Sequence, residues 1–186
     1  MDFIKKNKYI LCIILGVVAM ALMIPNIARM FKQFQYYSEN GVEIPMALIF
    51  LLVEYICIFI AELVFILIGY RRSMDKLLII TSVILYYAST GAYYVYEAFV
   101  ENDFSYVFNI IISVLCIVTV VLALTNPRYM ISAIILLLID SAFNLSYTFT
   151  GSTSGFSSLI LTIMLIFTVV LYKSSLREDT EFTIYS

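Results

Sequence analysis

A chain of 186 residues that is 63% hydrophobic and 13% charged, with a mean hydropathy of +1.01, has too little polar surface to cover a soluble domain. Its net charge of −2, without a basic cluster, gives no footing for nucleic acid. The absence of histidine removes bis-His haem ligation, most zinc and copper chemistry, His-based acid–base catalysis and the HExxH proteases.

Six apolar stretches follow in chain order, at 8–28, 46–70, 77–98, 105–125, 129–149 and 156–172. Each is about long enough to cross ~30 Å of hydrocarbon at ~1.5 Å per residue. The runs are continuous, which excludes the alternation of a transmembrane β-barrel. The first is preceded by Lys5 and Lys6 but is too long for a signal peptide and lacks a small-residue cleavage site, so it is expected to stay as helix 1. Pro25 is expected to open that helix near Asn26. Residues 29–45 are expected as the longest connection, a solvated tether with a lid as the alternative.

The second connection carries Arg71, Arg72 and Lys76. The fourth is a tight turn at Asn126-Pro127-Arg128, because Pro127 cannot continue a helix. Residues 150–155 form a flexible last turn, 156–172 is the weakest span, and Lys173 and Arg177 follow it. Of the odd connections, only the first holds basic residues, Arg29 and Lys32. Positive charge retained inside therefore puts both termini in the cytoplasm. The expected fold is all-α: a polytopic integral membrane protein of six transmembrane helices, one domain over 1–186, with a short polar tail at 174–186. The plasma membrane is the expected location.

Ionisable residues inside spans are costly and mark function or helix contacts. Here they are acidic: Glu54 and Glu62 in helix 2, Asp140 in helix 5, and Glu97 near the end of helix 3. Glu54 and Glu62 are separated by ~80° around the helix and share a broad face. Asn144 is one turn from Asp140, with Tyr147 above it. In helix 3, Ser82, Tyr86, Ser89 or Thr90, Tyr93 and Glu97 recur at three- and four-residue steps. Carboxylates with tyrosine faces suit an organic cation, through ionic and cation–π attraction. The expected site is Glu54, Asp140, Asn144, Tyr93, Tyr86, Tyr147 and the helix-4 amide Asn109. Glu62 is expected as a coupling or helix-contact residue. The alternative for each acid is a structural hydrogen bond across helices, and tyrosine also favours membrane interfaces without any ligand.

Cys12, Cys57 and Cys116 fall inside spans without metal-ligand spacing and read as packing residues. There is no phosphate loop, paired aspartate or Ser–Lys arrangement, so no enzyme and no cofactor is expected. In helix number and length the chain resembles the substrate-binding membrane subunits of energy-coupling-factor transporters, a likeness of architecture with no motif behind it.

The leading expectation is a transporter, or its solute-binding membrane subunit, for a small cationic or amine-bearing solute. The alternative is a non-catalytic membrane partner, an immunity, sensor or regulatory subunit that binds another protein through its helix faces. A channel ranks third, for want of a filter-like loop. The bilayer, and a second copy or partner membrane subunit, are the expected partners.

Overall fold

Every regular element among the described residues is helical. The computed structural model describes residues 2–149 and 159–172, with side chains over 7–145 and 159–172. Helices α1 (Asp2–Glu39), α2 (Met46–Arg71), α3 (Lys76–Phe99), α4 (Val107–Thr125) and α5 (Met130–Phe149) are joined by short turns. The shorter helix α6 spans Leu159–Tyr172. Among the described residues, five helices are long and apolar enough to cross a membrane. Large apolar side chains such as Ile10, Leu63, Val114, Ile131 and Leu138 face outward, as expected where the surrounding solvent is lipid. This is the build of an integral membrane protein.

Helix α1 corrects one expectation. It does not open at Pro25 or stop at residue 28, but runs 38 residues to Glu39 and leaves only residues 40–45 as a connection. Proline removes one backbone donor yet keeps a helical φ, and residues 29–39 contain no further proline or glycine. Gln35 donates to Glu39 at 2.7 Å, one turn on. The stop comes at Gly41, whose φ of 63° is left-handed. There Val42 N–H donates to the Tyr37 carbonyl and Gly41 N–H to Ser38, the double bond of a Schellman end. At ~1.5 Å per residue such a helix outreaches ~30 Å of hydrocarbon, so its last turns stand clear of the apolar layer.

The other turns are capped by local chemistry. Arg72, with φ 50°, ends α2 and donates its N–H to the Gly69 carbonyl. Asp75 starts α3 by accepting from Leu77 N–H at 2.8 Å. Asn126 accepts from Arg128 N–H at 3.1 Å beside Pro127, the tight turn expected there.

These turns sort charge and aromatic rings to the two ends of the bundle. Arg71, Arg72, Lys76 and Arg128 mark a basic end, with Tyr70 and Tyr129. Glu39, Glu43, Glu97, Glu101 and Asp103 mark an acidic end, with Tyr36, Tyr37, Tyr93, Tyr94, Tyr96 and Tyr106. Two tyrosine girdles fit two membrane interfaces.

From α1 to α5, each helix packs on its chain neighbour. On α1, the residues Cys12, Gly16, Ala19, Met23, Asn26 and Met30 are buried at alternating steps of four and three, a seam for close helix packing. Helix α2 buries two faces. Glu54, Ile58, Ala61, Phe65 and Ile68 form the first, where Ser82 of α3 donates to the Ala61 carbonyl at 3.3 Å. Glu62, Ile66 and Gly69 form the second, against α1. A Cβ on Gly69 would lie 2.6 Å from the Tyr9 carbonyl oxygen, and one on Gly16 would lie 2.6 Å from Ile66 Cγ1. Small residues here let the two backbones approach.

In α6, Leu161, Met164, Leu165 and Val169 are buried. The expected turn at 150–155, the first residues of the 156–172 span and the tail at 174–186 lie outside the described residues.

Candidate functional site

Toward the acidic end, α1, α2 and α3 border an open recess of about 220 Å³ lined by Gln33, Tyr37, Pro45, Ala47, Leu48, Leu51 and Tyr93. The extension of α1 supplies Gln33 and Tyr37, which a loop at 29–45 would not have held in place. Ala47, Leu51 and Glu54 follow one another at helical steps on α2, so the Glu54 carboxyl lies one turn deeper than the recess lining. Glu54 is 9% exposed. The Thr90 hydroxyl sits beside its carboxyl but outside hydrogen-bond geometry. Tyr93 is hydrogen-bonded to Glu97 and lies within electrostatic reach of Glu54. Tyr55 is within reach of both Glu54 and Arg29. Outside the lining, Tyr94 stacks on Tyr106 at 5.6 Å and Phe50 on Tyr96 at 4.9 Å. A carboxyl beneath tyrosine faces offers a monovalent cation charge and π-surface together.

Asp140 has a different set of partners. Tyr87 of α3 donates to its Oδ2 at 3.0 Å, and Asn144 Nδ2 donates to the same oxygen at 3.1 Å. Thr162 of α6 adds a third hydrogen bond, and Cys116 of α4 is hydrogen-bonded to Tyr87. Side chains from α3, α4, α5 and α6 thus meet at one carboxyl. Such a knot satisfies an acid that would otherwise be expensive in hydrocarbon. Its partners and those of Glu54 do not overlap, so the two acids expected in one site belong to two clusters.

The remaining expected residues fall as follows. Tyr93 lines the recess. Tyr86 is 2% exposed and packs edge-on against Tyr87 at 4.6 Å. Asn109 is buried on α4, where its carbonyl accepts from Ser113 at 2.9 Å. The side chain of Tyr147 lies outside the described residues. Glu62 is fully buried inside the packing of α2. The three cysteines are free thiols.

Tyr87, Thr162, Gln33 and Tyr37 were not legible as site residues. Tyr87 is one position from the stripe through Tyr86, and the stripe alone does not say which neighbour reaches across to α5. Gln33 and Tyr37 were hidden because residues 29–45 read as a loop. Gln33, Tyr37 and the Gln35–Glu39 pair, at steps of four, carried the missed helical signal.

Compared with protein-family models, curated proteins and solved structures, the chain matches none.

Proposed function

We propose that this chain is a membrane transporter, or the solute-binding membrane subunit of one, for a small cationic or amine-bearing solute. The observation that carries this reading is the recess walled by Tyr37 and Tyr93, with the Glu54 carboxyl one turn beneath its lining. Glu54 is the charge partner, Tyr37 and Tyr93 are the faces for the cation, and Gln33 is a rim amide. The volume suits a compact ammonium or guanidinium compound rather than a large ligand. Asp140 and Asn144 are assigned to holding the helices, since the carboxyl already accepts from three donors. The charge bias of the connections supports cytoplasmic termini in the plasma membrane, with the recess opening outward. The assembly is a homo-oligomer or a complex with a partner subunit.

The second reading is a regulatory or immunity partner without a solute. The four-helix knot at Asp140 favours it, because a bundle locked there resists the rearrangement that transport requires.

Maleimide labelling of Ala47→Cys in purified protein, read at that position by peptide mass, separates the two, since Ala47 lines the recess without being one of the groups assigned to the cation. Tetramethylammonium, methylammonium and guanidinium are added in turn, with sodium at equal ionic strength as the control. Slower labelling with one of the organic cations supports a solute site, and equal rates throughout support the partner reading.

A further inference from the structure

Glu62 stands apart from both clusters. It is 0% exposed, and neither carboxyl oxygen has a hydrogen-bond partner among the described residues. On α2 it belongs to the face packed on α1, one position along from Ala61 on the face packed on α3. From α1, the seam residues Cys12, Gly16 and Ala19 are buried at this level, and a Cβ on Gly16 would come within 3.4 Å of the Glu62 carbonyl. From α3, Ser82 donates to the Ala61 carbonyl and Tyr86 is buried above it. The titratable groups packed into the core from these helices are Tyr9 and Cys12 of α1, Tyr55 of α2, and Tyr86 and Tyr87 of α3. No charged group of any described element acts on the Glu62 carboxyl.

An ionised carboxylate in such a place has lost water and gained nothing in return. Unlike Asp140, it has no donors to compensate. A carboxylic acid is tolerated there, and a carboxylate needs water or a cation to reach it. Reaching it means separating α1 from α2, because the backbones touch at Gly16 and Gly69.

We propose that Glu62 is a proton-binding site that holds its proton while α1 and α2 are packed and releases it only when they part. Proton release is then linked to an opening motion, the arrangement a proton-coupled or pH-gated membrane protein requires. The proposal uses no solute, so it stands or falls separately from the recess.

Infrared spectroscopy of the full chain in lipid vesicles tests it. The carbonyl stretch of a protonated carboxylic acid is followed from pH 5 to pH 10, first in Glu54→Gln/Asp140→Asn, which leaves Glu62 as the buried acid. The band is expected at neutral pH and disappears on adding Glu62→Gln. Should Glu62→Gln fail to fold, the same band followed against pH in the double variant still decides the point. In parallel, maleimide modification of Cys12 is mapped by peptide mass. Its rate should rise as the band is lost, by about tenfold more than in Glu62→Gln, where only thiol ionisation acts. Absence of the band at neutral pH overturns the proton site. Loss of the band with Cys12 as unreactive as in Glu62→Gln overturns the link to opening.

Discussion

The Tyr87 hydroxyl donates to Asp140 Oδ2 at 3.0 Å, joining α3 to α5 across 53 residues of sequence. With Asn144 and Thr162 on the same carboxyl, this bond makes Asp140 a tie between helices. Removing one donor should therefore cost little and removing the acceptor should cost more. Tyr87→Phe is expected to lose about 1 kcal/mol, the range of single hydrogen bonds between membrane helices. Asp140→Asn keeps an acceptor oxygen and should remain within about 1 kcal/mol of the parent, whereas Asp140→Leu orphans its donors and should lose roughly 2–3 kcal/mol. Reversible unfolding in mixed micelles measures all three. Asp140→Leu as stable as the parent would remove the tie.

The α1–α2 contact makes a second, sharper comparison. At Gly69 an added methyl meets the Tyr9 backbone carbonyl at 2.6 Å, whereas at Gly16 it meets a side-chain atom, Ile66 Cγ1, at the same distance. A side chain turns aside and a backbone does not. Gly69→Ala is expected to destabilise by about 2 kcal/mol, and Gly16→Ala by about half that. The same unfolding assay ranks them, and the reverse order would mean that α1 is not packed as described.

Charge near the recess gives a third. Arg29 is exposed on α1, and both it and Glu54 lie within electrostatic reach of the Tyr55 hydroxyl. If the recess takes a cation, Arg29→Gln removes a repulsion and should tighten binding about three- to tenfold, which is roughly 0.6–1.4 kcal/mol. The gain should shrink with added salt. Titration at low and high ionic strength reads both effects, and weaker binding in Arg29→Gln would argue that the ligand is an anion.

Orientation makes a fourth. Impermeant thiol reagents applied to intact cells should reach single cysteines at Ser38 and Asp103 but not at Ser73 or Arg128, all exposed turn or helix-end positions. The opposite pattern would invert the assignment drawn from the basic residues.

The helices were legible because hydrocarbon imposes length and apolarity on every span, and that signal is local. The α3 stripe was legible from its three- and four-residue steps: Thr90 does lie beside the Glu54 carboxyl, and Tyr93 is within electrostatic reach of it. What the stripe could not give was the partner across the gap. The pairing of carboxylates with tyrosine faces drew Glu54 and Asp140 into one expected site. Helix neighbours, which sequence spacing does not encode, put them in two. The α1 extension was missed because a charged, tyrosine-rich segment after a proline reads as solvated loop, although its i,i+4 pairing was already present in Gln35 and Glu39.

Isothermal titration of the purified chain with small ammonium and guanidinium compounds tests the central claim most directly, with Glu54→Gln and Tyr93→Phe beside the parent. The account predicts binding of at least one of them to the parent and about tenfold or greater weakening in Glu54→Gln, roughly 1.4 kcal/mol, with a smaller loss in Tyr93→Phe, whose ring remains. Glu54→Gln that binds as tightly as the parent, or a parent that binds none of these cations, would contradict it.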